Sequence, residues 1–341
     1  MANKYKQWLE RLNALDMDLE IYNRLFTEIK RFIENESRDS DAMENYYDFV
    51  LNLPWGGGVR KKVDVEQAKI DFDGMIYGHE HIKKQLLDQI ALENHLGRSV
   101  GKVMLLNGPS GTGKTHIAQC YAKVAGKLFY PMRLGGLQDA TSILGTFRGY
   151  KNARSSYLMD FIAKHRTKNI VVLLDEIDKL DSKNVAVQHA LLQLTDRTTG
   201  FVDYYVDIPF DISGITFIAT SNDITQISPA LKDRMNCIEI PEFKAEELQK
   251  IMKDHLIPKK MSEYQLDQSQ FTFDENALQM MYHWTDLKSV RKINHNIEAL
   301  FAHAIRKYHE SGVAAISQYT VKEAFGFDMY KMKVESFENM H

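Results

Sequence analysis

The chain has 341 residues, enough as a prior for two or three domains. Apolar residues make up 44 % and charged residues 26 %, an ordinary folded composition that excludes disorder over most of the length. The formal net charge of −3 argues against a wholly basic nucleic-acid footprint, so nucleic acid is not an expected partner.

No apolar run approaches the roughly 20 residues of a membrane span, and the start MANKYKQWLERLNALD has no apolar signal core. A cytoplasmic location without membrane contact is expected. Cys120 and Cys237 lie far apart and form no C-x-x-C pair, so they read as buried structural thiols rather than a disulfide or zinc framework.

In chain order, residues 4–50 carry apolar positions at helical spacing: Leu9, Leu12 and Leu15, then Leu19, Tyr22, Leu25, Phe26, Ile29 and Phe32. A further helix is expected over DAMENYYDFVLNL, ending at Pro54, with LPWGGG as a hinge and residues 59–75 as a connector. From 76 to 242 strands and helices alternate. The expected strands are VMLLN (103–107), KLFYPMRL, IVVLL (170–174), ITFIAT (215–220) and CIEI (237–240), a pattern that means a parallel sheet in a three-layer α/β domain. From Phe243 onward the segments are helical with polar gaps. The division is therefore 1–58 as an N-terminal helical segment and hinge, 59–242 as an α/β core, and 243–341 as a helical domain.

GPSGTGKT (108–115) fits G-x-x-x-x-G-K-[ST] in full, after an expected strand and opening an expected helix. Gly108, Gly111 and Gly113 let the backbone through Pro109, Ser110 and Thr112 curl so that the N–H groups of the residues other than proline point inward, an anion cradle continued by the helix start at Lys114, Thr115 and His116. Lys114 would reach the β- and γ-phosphates of ATP, and the Thr115 hydroxyl would ligate Mg²⁺. About 60 residues on, VVLLDEIDKL sets two carboxylates at the end of an apolar strand. Asp175 is placed to hold Mg²⁺, and Glu176 to orient and deprotonate the attacking water. No role is assigned to Asp178, and a metal pair of His79 and His81 is rejected for want of a third ligand.

Several further stretches are more specific: YYDFVLNLPWG, GTFRGYKNA, TKNIVVLLDEIDKL, DYYVDIPFDISGITFIATSNDITQISPALKDRMNCIEIPEF and HLIPKK. With them the chain resembles the AAA+ ATPase module of Lon proteases over nearly its whole length. The resemblance implies an AAA+ core followed by a helical lid, working as a homo-oligomeric, hexameric ring. It implies that Asn222 is the sensor-1 residue positioning the attacking water, and that Arg234 is an arginine finger for a neighbouring subunit's γ-phosphate. Arg291 corresponds to the sensor-2 arginine of the lid, and Tyr77 and Gly78 to the segment packing on adenine. Tyr150, followed by Lys151, corresponds to the pore-loop aromatic that grips an unfolded polypeptide.

The sequence also departs from that family. It reaches TVKEAFGFDMY and a short tail, so neither a Ser–Lys protease domain nor the large N-terminal domain is expected on it. The stretch after Asp181 is short and lacks a usual arginine, Ser289 replaces a usual glycine, and Lys151 replaces an apolar neighbour of the tyrosine. The expected function is an ATP-dependent unfoldase or remodeller of a protein client, acting alone or with a peptidase on a partner chain. The alternative is a nucleotide-dependent switch or scaffold that sets assembly with a partner protein.

Overall fold

The structure is a computed structural model and describes residues 2–35, 40–57, 62–99, 102–181, 184–196, 200–266, 271–284, 289–311 and 316–325. Ser182 and Lys183 after Asp181, the end of TVKEAFGFDMY and the tail beyond it lie outside the described residues. The chain forms two units. One runs to Gly108 and from Lys114 to Ile240; the other comprises Pro109–Gly113 and the chain from Pro241 onward.

In the first unit the long apolar runs form one parallel sheet. Its strands are β1 (Val103–Asn107), β2 (Leu128–Arg133), β3 (Ile170–Asp175), β6 (Thr216–Ser221) and β7 (Met235–Glu239). The spatial order is β2-β3-β6-β1-β7, and a two-residue antiparallel pair, β4 (Phe201–Val202) with β5 (Pro209–Phe210), intervenes in sequence between β3 and β6. The three central strands are buried along nearly their whole length, whereas the edge strands β2 and β7 are mixed. Uninterrupted apolar runs suit such doubly covered strands.

Alternate residues divide between two cores, as the two-residue period of a strand requires. Val103, Leu105, Ile170, Val172 and Leu174 enter one core, and Met104, Leu106, Val171 and Leu173 the other. The first core also takes the N-terminal helices α1 (Ala2–Ala14), α2 (Leu19–Asn35) and α3 (Ser40–Val50), through Trp8, Leu12, Leu25, Ile29, Tyr46 and Tyr47. The second is covered by α4 (Val65–Met75), α5 (Glu80–Leu96) and α6 (Lys114–Val124). Helix α4 occupies most of the stretch expected as a connector, to which the sequence pattern assigns no helix. Its Asp64 carboxylate caps the helix by accepting from the Glu66 and Gln67 amides, and Ala68 and Phe72 bury one face. Two buried residues in eleven give too thin a stripe to read from periodicity.

The remaining helices of this unit are α7 (Thr141–Leu144), α8 (Tyr157–His165), α9 (Val185–Thr195) and α10 (Pro229–Lys232).

The second unit is helical: α11 (Ala245–Ile251), α12 (Ile257–Glu263), α13 (Glu275–Trp284), α14 (Val290–Ser311) and α15 (Gln318–Phe325). Between α11 and α12 lies a π-helical turn, Met252–Leu256, where the Ile257 amide donates to the Met252 carbonyl. Pro258 lacks an N–H, so it cannot keep the α-helical ladder in step there. Among the described residues no helix is long and apolar enough to cross a membrane.

Candidate functional site

The sheet register sets the site. Asn107 lies opposite Ser221, and Leu174 opposite Ala219, so the carboxyl ends of β1, β3 and β6 stand side by side. Ligands of open α/β sheets bind at this edge. The glycine-rich turn leaves the end of β1, the Asp175–Glu176 pair ends β3, and Asn222 follows β6 directly.

Gly108 is required by close approach, because a Cβ there would lie 2.2 Å from the Ile240 carbonyl oxygen. Gly111 and Gly113 take φ values of 85° and 91°, a region L side chains rarely adopt. The Thr112 hydroxyl donates to the Pro109 carbonyl at 2.9 Å, closing the turn on itself. Lys114 begins α6 and is buried. Its ammonium donates to the Gly108 carbonyl at 2.6 Å and to Asn222 Oδ1 at 2.9 Å.

Thr115 Oγ1 lies 3.5 Å from Asp175 Oδ1. A hydroxyl and a carboxylate oxygen are hard donors, the set that Mg²⁺ prefers. Glu176 is exposed and sits in the left-handed region, φ 57° and ψ 50°, which turns its carboxylate out of the strand direction. A non-glycine residue there needs support from its surroundings. Thr220 supplies it: its hydroxyl accepts from the Glu176 amide at 2.9 Å and donates to Asp175 Oδ1 at 2.6 Å. One β6 hydroxyl thus ties both acidic residues.

Asp178 has a positioning contact that sequence reasoning missed. It is buried, and its Oδ2 accepts from the Asn222 amide at 3.2 Å. Neither residue carries a motif signature. The one available signal for Thr220 was its place two residues before Asn222, after the apolar run Phe217–Ala219.

On the other side of α6, a His116 ring nitrogen lies 3.1 Å from the Met75 carbonyl, and His81 Nε2 lies 3.0 Å from the Glu239 carbonyl. These contacts hold the Tyr77–Gly78 segment between α6 and β7. Ile76 anchors it in the core, while Tyr77 stays half-buried.

The structure does not bring Arg234 to this group. Its carbonyl accepts from the Val103 amide, at the opposite end of β1 from the glycine turn. Four residue steps along the strand separate Val103 from Asn107, roughly 13 Å at the usual rise. The guanidinium pairs instead with Asp196 at 3.6 Å and donates to the Ala230 carbonyl at 3.3 Å. Tyr150 and Lys151 stand exposed on the loop between α7 and α8.

In the second unit Arg291 is exposed in the first turn of α14, a turn with no acidic residue. Ser289 Oγ caps that helix by accepting from the Lys292 amide at 3.3 Å, so the serine has a structural use there.

The sheet order and the turn that follows β1 are those of the AAA+ P-loop NTPase fold, and a family model described as "ATPase family associated with various cellular activities (AAA)" matches residues 104–242. The solved structures agree on the fold: a RuvB variant from Thermotoga maritima superposes with a TM-score of 0.52 at 17 % identity, covering 81 % of this chain and 78 % of that one.

By sequence the chain resembles the AAA+ ATPase module of Lon proteases over nearly its whole length. It is 31 % identical to the Lon protease of Clostridioides difficile over 98 % of its own length and 43 % of the relative's. It is 31 % identical to the peroxisomal Lon protease homolog 2 of Caenorhabditis briggsae over 91 % of this chain and 41 % of that one. The mitochondrial Lon protease homolog of Yarrowia lipolytica is 32 % identical over 90 % of this chain and 27 % of its own. The chain thus spans less than half the length of these relatives.

Proposed function

We propose that the chain hydrolyses ATP and uses the cycle to pull on a protein client within a homo-oligomeric ring. The observation that carries the reading is the meeting of Lys114, Thr115, Asp175, Glu176 and Asn222 at the carboxyl ends of adjacent strands. The glycine turn, residues 108–113, cradles phosphate oxygens with backbone N–H groups, and Lys114 adds a positive charge beside them. Thr115 and Asp175 hold magnesium, which supplies neutralisation of charge on the phosphate oxygens when bound. Glu176 accepts the proton of the attacking water at its exposed carboxylate, and the Asn222 side chain orients that water. Tyr77 and Gly78 line the adenine side, next to His116.

Arg234 acts on a neighbouring subunit. Its position at the far end of β1 supports this, since it is removed from the chain's own phosphate turn. Arg291 puts an exposed cation at a helix N-terminus, which is unfavourable by about 0.3–1 kcal/mol unless an anion is nearby. That supports a phosphate-sensing role for Arg291. Tyr150, 68 % exposed, and Lys151 form the client contact. A peptidase on another chain is compatible with this reading, as is a cytoplasmic location.

The test is ATP turnover per subunit across a dilution series, for wild type, Glu176→Gln and Arg234→Ala. A rate per subunit that falls on dilution, with both variants inactive, is the expected result. ATP binding without turnover at any concentration would overturn it and favour a nucleotide-dependent switch or scaffold.

A further inference from the structure

The N-terminal helices share more with the first unit than a core. The loop carrying Tyr150 has few internal bonds. Thr146 and Arg154 close its base, through the Thr146 amide to the Arg154 carbonyl and the Arg154 amide to Thr146 Oγ1, both at 2.8 Å. Toward the tip, the Tyr150 amide donates to the Phe147 carbonyl at 3.0 Å, and the Ala153 amide to the Tyr150 carbonyl at 3.2 Å. So short a ladder does not fix where the loop points.

Arg148 connects it to three other segments. Its guanidinium lies over the Tyr46 ring of α3, 4.2 Å from the centroid. One terminal nitrogen is 3.4 Å from Glu28 Oε2 on α2, and the other is 3.4 Å from Asp207 Oδ2 between β4 and β5. Arg24 of α2 bonds the same two carboxylates, Glu28 Oε1 at 3.1 Å and Asp207 Oδ2 at 2.6 Å. Two cations and two carboxylates balance, so each charge has a partner of opposite sign. The Tyr46 hydroxyl donates to the Val206 carbonyl at 3.0 Å, which holds the 203–207 turn to α3 as well. On that turn Tyr204 stacks on Phe147 at 4.4 Å between centroids.

We propose that α2 and α3 brace the Tyr150 loop, and that Arg148 is the positioning residue through which they hold it. Partly exposed ion pairs are individually weak. Here they converge on one guanidinium that also stacks on a buried ring, so they fix one geometry together. A displacement of α2 and α3 is thereby transmitted to the loop. The meaning of this for client handling rests on the role proposed above for Tyr150; the brace itself does not.

Amide hydrogen exchange on the full chain tests it without nucleotide or client, in wild type, Arg148→Ala, Arg148→Lys and Glu28→Gln. In Arg148→Ala, exchange at Thr146, Tyr150, Ala153 and Arg154 is expected to speed up by about tenfold, with β3 amides unchanged. Arg148→Lys keeps the charge but loses the fork and the flat stacking face, so it should restore protection only in part. Glu28→Gln should fall between wild type and Arg148→Ala. Unchanged loop exchange in Arg148→Ala overturns the proposal, as does equal loss of protection in β3, which marks general destabilisation. Client unfolding by the same variants is read separately. A loosened loop with full unfolding activity leaves the brace standing and counts against Tyr150 as the gripping residue.

Discussion

Lys114 and Asn222 touch: the ammonium donates to the amide oxygen at 2.9 Å, joining the start of α6 to the residue after β6. The contact fixes the amide, with its oxygen toward the lysine and its NH₂ free to face water or phosphate. Asn222→Asp replaces a neutral acceptor with a carboxylate that competes with phosphate for Lys114. Its ATP affinity should weaken about tenfold by equilibrium titration, the size of a modest charge effect in a partly buried site. Asn222→Ala should bind ATP within about threefold of wild type and lose about 100-fold in turnover, as removal of a water-positioning donor does. Equal affinities for the two variants would mean that the contact does not matter to binding.

Thr220 serves Asp175 and Glu176 at once. Thr220→Val keeps the shape and removes the hydroxyl, leaving the Glu176 amide without its bond and Asp175 Oδ1 with the longer Thr115 contact of 3.5 Å in place of the 2.6 Å one. Glu176 then loses the support for its left-handed backbone. Turnover should fall about 10–100-fold, with a stability loss of about 1–3 kcal/mol in chemical denaturation. Thr220→Ser should rescue turnover to within about threefold, because the hydroxyl remains. Failure of the serine to rescue would point to β6 packing rather than the hydroxyl.

The sheet was legible because its central strands are buried on both faces, which makes apolar runs such as IVVLL and VMLLN unmistakable. The phosphate turn and the two acidic residues were legible because their chemistry needs a fixed spacing. Thr220 and Asp178 were not, because a hydrogen bond between neighbouring strand ends leaves no periodic trace; only the register of β3 on β6 reveals it. Helix α4 was hidden by its thin apolar stripe. The burial of α1 to α3 in a core shared with the sheet was also invisible, since amphipathic spacing shows that a face is covered and not by what.

At the amino ends of the strands, Lys127 and Glu93 form an ion pair of 3.0 Å with both side chains almost fully buried, at 0 % and 2 % exposure. Ser99 and Thr216 donate to the same carboxylate at 2.8 and 2.9 Å. Thr216 begins β6, whereas the phosphate site lies beyond its other end. Lys127→Met strands a buried carboxylate and should cost about 3–5 kcal/mol in urea unfolding, while Glu93→Leu with Lys127→Met should recover most of that loss. Turnover per folded subunit should stay within about twofold of wild type in the double variant, because the strand separates the pair from the site. A double variant as unstable as the single one would show that the pair is needed for more than mutual neutralisation.

Cys237 makes the last test. The residue is exposed on the edge strand β7, yet its sulfur is partly shielded and donates to Glu239 Oε1 at 3.3 Å. Burial first, and then the Glu239 carboxylate, push the thiol up to about 11. Both causes disfavour the thiolate, which is the form that reacts. In a Cys120→Ser background, alkylation by iodoacetamide at pH 8 should be roughly 100-fold slower than for an unperturbed cysteine. The rate should keep rising through pH 10 rather than levelling near pH 9. Glu239→Gln removes the neighbouring charge and should shift the profile to lower pH. The Asn107 amide donates to both oxygens of Glu239, at 3.0 and 2.9 Å, one residue before the phosphate turn. If Glu239→Gln accelerates alkylation and leaves ATP affinity unchanged, the carboxylate controls the thiol alone. If affinity falls as well, the Asn107–Glu239 contact also supports the entry to the turn.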